Sequence, residues 1–130
     1  SYDVVLAGLN YRLDEMRERL EKFRTQHAGD KLGKVANHVL FEEENVRIWE
    51  KDLEPGAHSG AHHHEHEYYL VIDSGDLVAG VPPKGSPMDF FIGKVPAAGN
   101  TVRVPKGGTE WALNVGKQTY HEILIELKKT

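Results

Sequence analysis

Five of the chain's eight histidines fall in one stretch, Gly56 to Gly75, GAHSGAHHHEHEYYLVIDSG. His62, His64 and His66 alternate there, and alternate residues of a strand point to one face. The stretch then runs into Tyr68-Tyr69-Leu70-Val71-Ile72, an apolar and β-rich run. Imidazoles opening a buried strand are the donors an all-β protein can offer to a metal ion. Glu65 interrupts the histidines and the cluster is internal, so it does not read as an affinity tag. The chain has no cysteine. Disulfides, thiolate zinc sites and cysteine nucleophiles are thereby excluded, leaving His, carboxylate and Tyr as ligands.

The rest of the chain must hold those side chains in place. A length of 130 residues suits one domain with a modest core, and a domain of that size gains from dimerisation. A net charge of -4 without a basic stripe argues against nucleic acid as a partner. No apolar run is long enough to span a membrane and no signal-peptide pattern opens the sequence. The expectation is a cytoplasmic protein.

Leu9, Leu13, Met16, Leu20 and Phe23 recur at spacings of four and three, which predicts one amphipathic helix. Asn10 is placed to cap its start and Gly29 to follow its end. Acids and bases share the polar face, including Glu18 and Lys22 at i,i+4, which argues against a membrane-surface helix. From Lys31 onward the pattern is strand-like. Short apolar or alternating runs cover Val35 to Phe41, Asn45 to Leu53, Leu77 to Val81, Phe90 to Val95, Thr101 to Val104, Trp111 to Val115 and Tyr120 to Leu127. Gly and Pro punctuate them, as in a β-sandwich or barrel.

Two spacings go further. Gly56, five residues, His62-x-His64, then Tyr68, six residues and Gly75 follow one frame; Gly99, five residues, Pro105-x-Gly107, then Glu110 and Asn114 follow another. Together they resemble the two motifs of the cupin superfamily over most of the chain from Phe41. The ending, with Trp111-Ala112-Leu113-Asn114 and Glu122-Ile123-Leu124-Ile125, is similar to small single-domain cupins assigned to beta-alanine degradation. The resemblance implies a mainly β fold, a cupin jelly-roll β-barrel with one N-terminal amphipathic α-helix. Residues 1–30 would be the helical segment, packed on the barrel or on a dimer mate, and residues 31–130 the cupin domain.

The resemblance also implies a mononuclear metal near the barrel mouth. The family's ligands are two His and a Glu from the first motif and a His from the second. His62 and His64 match; the Glu position holds Tyr68 and the second-motif His position holds Glu110. Glu110 then restores the carboxylate, and His62, His64 and Glu110 form a two-His-one-carboxylate set, with His66 and Glu67 in reserve. Tyr68 is a ligand, a proton donor to substrate, or an aromatic that fills the barrel. His121 shares strand parity with Ile123, Ile125 and Leu127, which places it inside the barrel if that apolar face lines it. There it would be a core histidine or an acid–base group.

The expected activity is a dioxygenase-type oxidoreductase for a small organic acid or carbonyl compound. Its cofactor is one divalent metal ion, iron first, with manganese, nickel or zinc as alternatives. Tyr68, Glu67 and His121 are the candidate catalytic groups. A non-redox isomerase or lyase, a non-catalytic metal or small-molecule binder, and a structural subunit are the competing expectations. The partners expected are a small-molecule substrate and a second copy in a homodimer, with no nucleic acid and no membrane.

Overall fold

Met16, Leu20 and Phe23 form the buried face of helix α1 (Leu13–Gln26) in the computed structural model, which describes residues 13–95 and 100–130. Asp14 and Glu15 in its first turn and Arg24 in its last oppose the helix dipole favourably. Leu9 and the cap Asn10 lie outside the described residues, as does Gly99 of the second motif.

Nine strands follow: β1 (His38–Glu42), β2 (Val46–Leu53), β3 (His62–His63), β4 (Tyr68–Ser74), β5 (Leu77–Val81), β6 (Phe91–Lys94), β7 (Asn100–Val104), β8 (Thr109–Asn114) and β9 (Tyr120–Leu127). They make a five-stranded sheet in the order β1-β2-β9-β4-β7 and a four-stranded sheet in the order β3-β8-β5-β6. The pairings are antiparallel, as in a jelly roll. The first strand begins later than Val35, because the chain enters the sheet only at His38. Gly75 and Gly107 take positive φ, 122° and 108°, a conformation that costs any residue with a Cβ. That is the physical content of two of the spaced glycines.

Alternation sorts the side chains. Leu77, Ala79 and Val81 of β5 and Trp111 and Leu113 of β8 pack with Met16, Leu20 and Phe23 in one buried cluster. Helix α1 therefore covers the outer face of the four-stranded sheet. Between the sheets lie Trp49, Tyr68 and Leu124 in one cluster and Leu53, Ile72, Ala112 and Tyr120 in another. The outer face of the five-stranded sheet carries Ile48, Tyr69, Val71, Ile123 and Ile125, all half-exposed. No helix among the described residues is long and apolar enough to cross a membrane.

Two parity expectations are corrected here. The histidine alternation does not run along one strand. β3 ends at His63 in the small sheet and β4 starts at Tyr68 in the large one. The chain bends between them, so His66 does not inherit the facing of His62 and His64. On β9 the inward residues are Tyr120, Glu122, Leu124 and Glu126, each buried, while His121, Ile123, Ile125 and Leu127 face outward. His121 is outside the barrel. The apolar face was the wrong guide because the barrel interior holds a polar pocket.

Candidate metal centre

The register of β3 on β8 sets His62 directly opposite Glu110. Just past β3, His64 stays tied to the second motif's turn: its N–H donates to Gly108 O at 2.8 Å, and Gly107 N–H donates to His64 O at 2.8 Å. The two motifs are thus brought together by backbone pairing, and one donor atom each from His62, His64 and Glu110 lies within 4.8 Å of the others.

His62 is fully buried. Its Nδ1 lies 2.9 Å from the carbonyl oxygen of Gly60. A carbonyl only accepts, so Nδ1 carries the proton and Nε2 is left as a lone pair. That Nε2 is buried and has no hydrogen-bond partner among the described residues, and buried polar atoms are rarely left so. His64 is 6% exposed and stacks on Tyr68 with ring centroids 4.2 Å apart. Its Nε2 stands 4.0 Å from Glu110 Oε1. Burial, with the charge of Lys51 adding to it, lowers His62 to about 3 and His64 to about 4. Both imidazoles are neutral at physiological pH, the form that ligates metal.

Burial raises the Glu110 carboxyl, against the pull of Lys51. Its side chain keeps 36% of its surface accessible, and it lines the cavity described below. Gly80 makes room for it: a Cβ there would come 2.5 Å from Glu110 Oε2. Two imidazoles and a carboxylate converging in this way fit a mononuclear divalent ion.

The cavity beside the triad has a volume of about 120 Å³, well below the roughly 300–1,000 Å³ of sites for drug-sized ligands. His64, Tyr68 and Glu110 line it with Lys51, Tyr120 and Glu122, and Leu70, Val78 and Leu124 form apolar wall. Burial, then the neighbouring acids, pushes the Tyr68 and Tyr120 phenols up. Both therefore remain protonated donors. Tyr120 donates to Glu122 Oε1 at 2.6 Å, while Glu122 Oε2 is buried with no partner among the described residues.

The remaining candidates are placed elsewhere. Nδ1 of His66 lies 2.6 Å from Glu126 Oε2, away from the triad. Glu67 is paired with Arg103 on the rim. His121 on the outer face uses Nδ1 toward Asp73 and Nε2 toward Glu50, 2.9 Å away. Glu50, Asp52 and His121 also bring donor atoms within 4.8 Å of one another there. Lys51, Glu122 and Tyr120 went unread in the sequence. Their signal was the alternation Trp49, Lys51, Leu53 on β2 and Tyr120, Glu122, Leu124 on β9, which marks each as sharing a face with core residues.

No family model matches the chain, and no curated protein matches it. Solved structures do. A cupin domain from Bordetella pertussis Tohama I is 20% identical, with 76% of this chain and 98% of that one covered and a TM-score of 0.62. An uncharacterised conserved protein with a double-stranded β-helix domain from Klebsiella pneumoniae is 17% identical, with coverage of 80% and 85% and a TM-score of 0.55. A cupin-like protein from Thermotoga maritima is 19% identical, with coverage of 76% and 77% and a TM-score of 0.50.

Proposed function

The chain has the cupin fold, and we propose that it is a mononuclear metal-dependent enzyme that oxidises a small organic acid or carbonyl compound with O₂. The observation that carries this is the unpartnered, deprotonated Nε2 of fully buried His62, aimed at the same point as His64 and Glu110. His62, His64 and Glu110 would hold the ion. When bound, a divalent ion with open positions supplies Lewis acidity and, if it is iron, electron transfer to O₂.

The chain's own residues supply the rest. His62 and His64 need shed no proton to ligate, because burial already keeps them neutral. Leu70, Val78 and Leu124 give the pocket an apolar wall for the carbon part of a substrate. Tyr68, held against His64, keeps its proton at Oη and is placed to donate it to a substrate oxygen. A non-redox isomerase or lyase is the second reading. It is favoured by the free Oε2 of Glu122, an acceptor for a substrate proton on the same cavity wall.

Metal analysis of protein purified without added metal decides between them. Near-stoichiometric iron with substrate-dependent O₂ uptake is the expected result, both lost in the His62→Ala/His64→Ala double variant. Zinc with no O₂ uptake selects the isomerase or lyase. No metal, with stability unchanged on metal addition, overturns both.

A further inference from the structure

Lys51 is 4% exposed and points inward from β2 between buried Trp49 and Leu53. Its ammonium has no hydrogen bond and no carboxylate within 4.0 Å among the described residues. Its Nζ keeps some solvent contact, so the side chain stands in the cavity wall as a cation without a counter-ion among those residues. Proteins seldom enclose a cation this far without giving it a partner. The contrast within this barrel is direct, since Arg47, four residues earlier on the same strand and also facing inward, is paired with Glu126 at 2.8 Å.

The natural partner for Lys51 is present and does not take it. Lys51 and Glu122 are in register across β2 and β9, where directly opposed side chains meet. Yet Glu122 accepts from Tyr120 and leaves its other oxygen free. Both groups line the cavity beside the triad, and Lys51 is the one lysine or arginine among its lining residues.

We infer that Lys51 is the anchor for a substrate carboxylate, and that the substrate is a small monocarboxylate. A small cavity with one cationic side chain suits a ligand with one carboxylate; phosphate is usually held by several donors at once. The inference rests on the reading of this cavity as the substrate site, and it narrows "organic acid or carbonyl compound" to the acid.

The test is calorimetric titration of glycolate, of uncharged glycolamide of the same shape, and of inorganic phosphate into metal-free and cobalt-loaded protein. Glycolate is expected to bind about ten-fold or more tighter than glycolamide, the worth of one charge-assisted hydrogen bond. Lys51→Met keeps the apolar stem and should bring the two within about two-fold, while cobalt affinity holds or rises because a cation beside the three ligands is gone; Lys51→Arg should retain the preference. Equal binding of glycolate and glycolamide by the native chain overturns the inference, as does a preference that survives Lys51→Met or phosphate binding tighter than glycolate. Failure to take up cobalt with a Lys51-dependent preference intact overturns the metal reading and leaves this one standing.

Discussion

His62 shows how much one backbone contact decides. The Gly60 carbonyl fixes the proton on Nδ1 and so presents Nε2 as a ligand. Gly80 does the equivalent for Glu110 by having no side chain. An added Cβ would lie 2.5 Å from Oε2, so the flexible end of Glu110 must swing away from the histidines. Gly80→Ala is expected to weaken metal binding by about ten-fold or more, as displaced support of a ligand does. It should leave thermal stability unchanged or raise it by ~0.5 kcal/mol, because Gly80 sits in ordinary strand conformation. A metal titration alongside a Tm measurement separates the two effects, and unchanged affinity would show that Glu110 is not held by that gap. At this scale the convergence of His62, His64 and Glu110 was legible, because spaced motifs encode it. Gly80 was not, because only the packed sheet shows what a Cβ would strike.

The elements explain why Lys51 went unread and His121 was misplaced. Alternation along β2 and β9 was visible in the sequence, but hydropathy named the wrong face of β9. An inner face made of Tyr120, Glu122, Leu124 and Glu126 looks like a solvated one until the pocket is known to be polar. Glu126 is at home there only because Arg47, Trp49 and His66 all reach it. On the outer face, hydrogen bonds to Glu50 and Asp73 raise the His121 imidazole. A raised folded value means that its stabilisation is fully present below the ordinary 6.5 and is lost as pH rises through the folded value. His121→Asn should therefore cost on the order of 0.5–1 kcal/mol at pH 6, in line with a partly exposed ion pair, and less at pH 9. Metal affinity should be unaffected. Denaturant unfolding at the two pH values measures the first, and any loss of metal binding would put His121 back in the site.

For the whole molecule, the architecture converts the site into an acid sensitivity. A helix-backed sheet and a second sheet close over His62 and His64 tightly enough to lower them to about 3 and 4 from the ordinary 6.5. The fold class was legible because strands punctuated by Gly and Pro need no tertiary detail. The depth of the site was not, since it depends on how the two sheets meet. Between 6.5 and the folded values the unfolded chain binds these protons and the native chain does not, so stability rises with pH across that window. Glu126 behaves differently. Burial works to raise its carboxyl, but hydrogen bonds from Arg47, Trp49 and His66 outweigh it and bring the group down from 4.5 to about 2. Its stabilisation is present above 4.5 and lost as pH falls through 2. In the stretch from 4.5 to 6.5 the two histidines are opposed by Glu110, whose carboxyl is raised by burial and so favours the native state as pH falls. Metal-free native protein should lose stability as pH falls across it, since two imidazoles outweigh one carboxyl, whereas the His62→Ala/His64→Ala variant should show no such loss there and fall only below 4.5. A divalent ion at 100 times its Kd should add about 2.7 kcal/mol near neutrality. That gain should vanish as protons displace it, so the loaded protein has the steeper profile. Urea unfolding at half-unit pH steps, with and without metal, reads all three curves. Parallel curves for native and variant protein would mean that the imidazoles are not held neutral by burial, and the case for a preformed site would go with it.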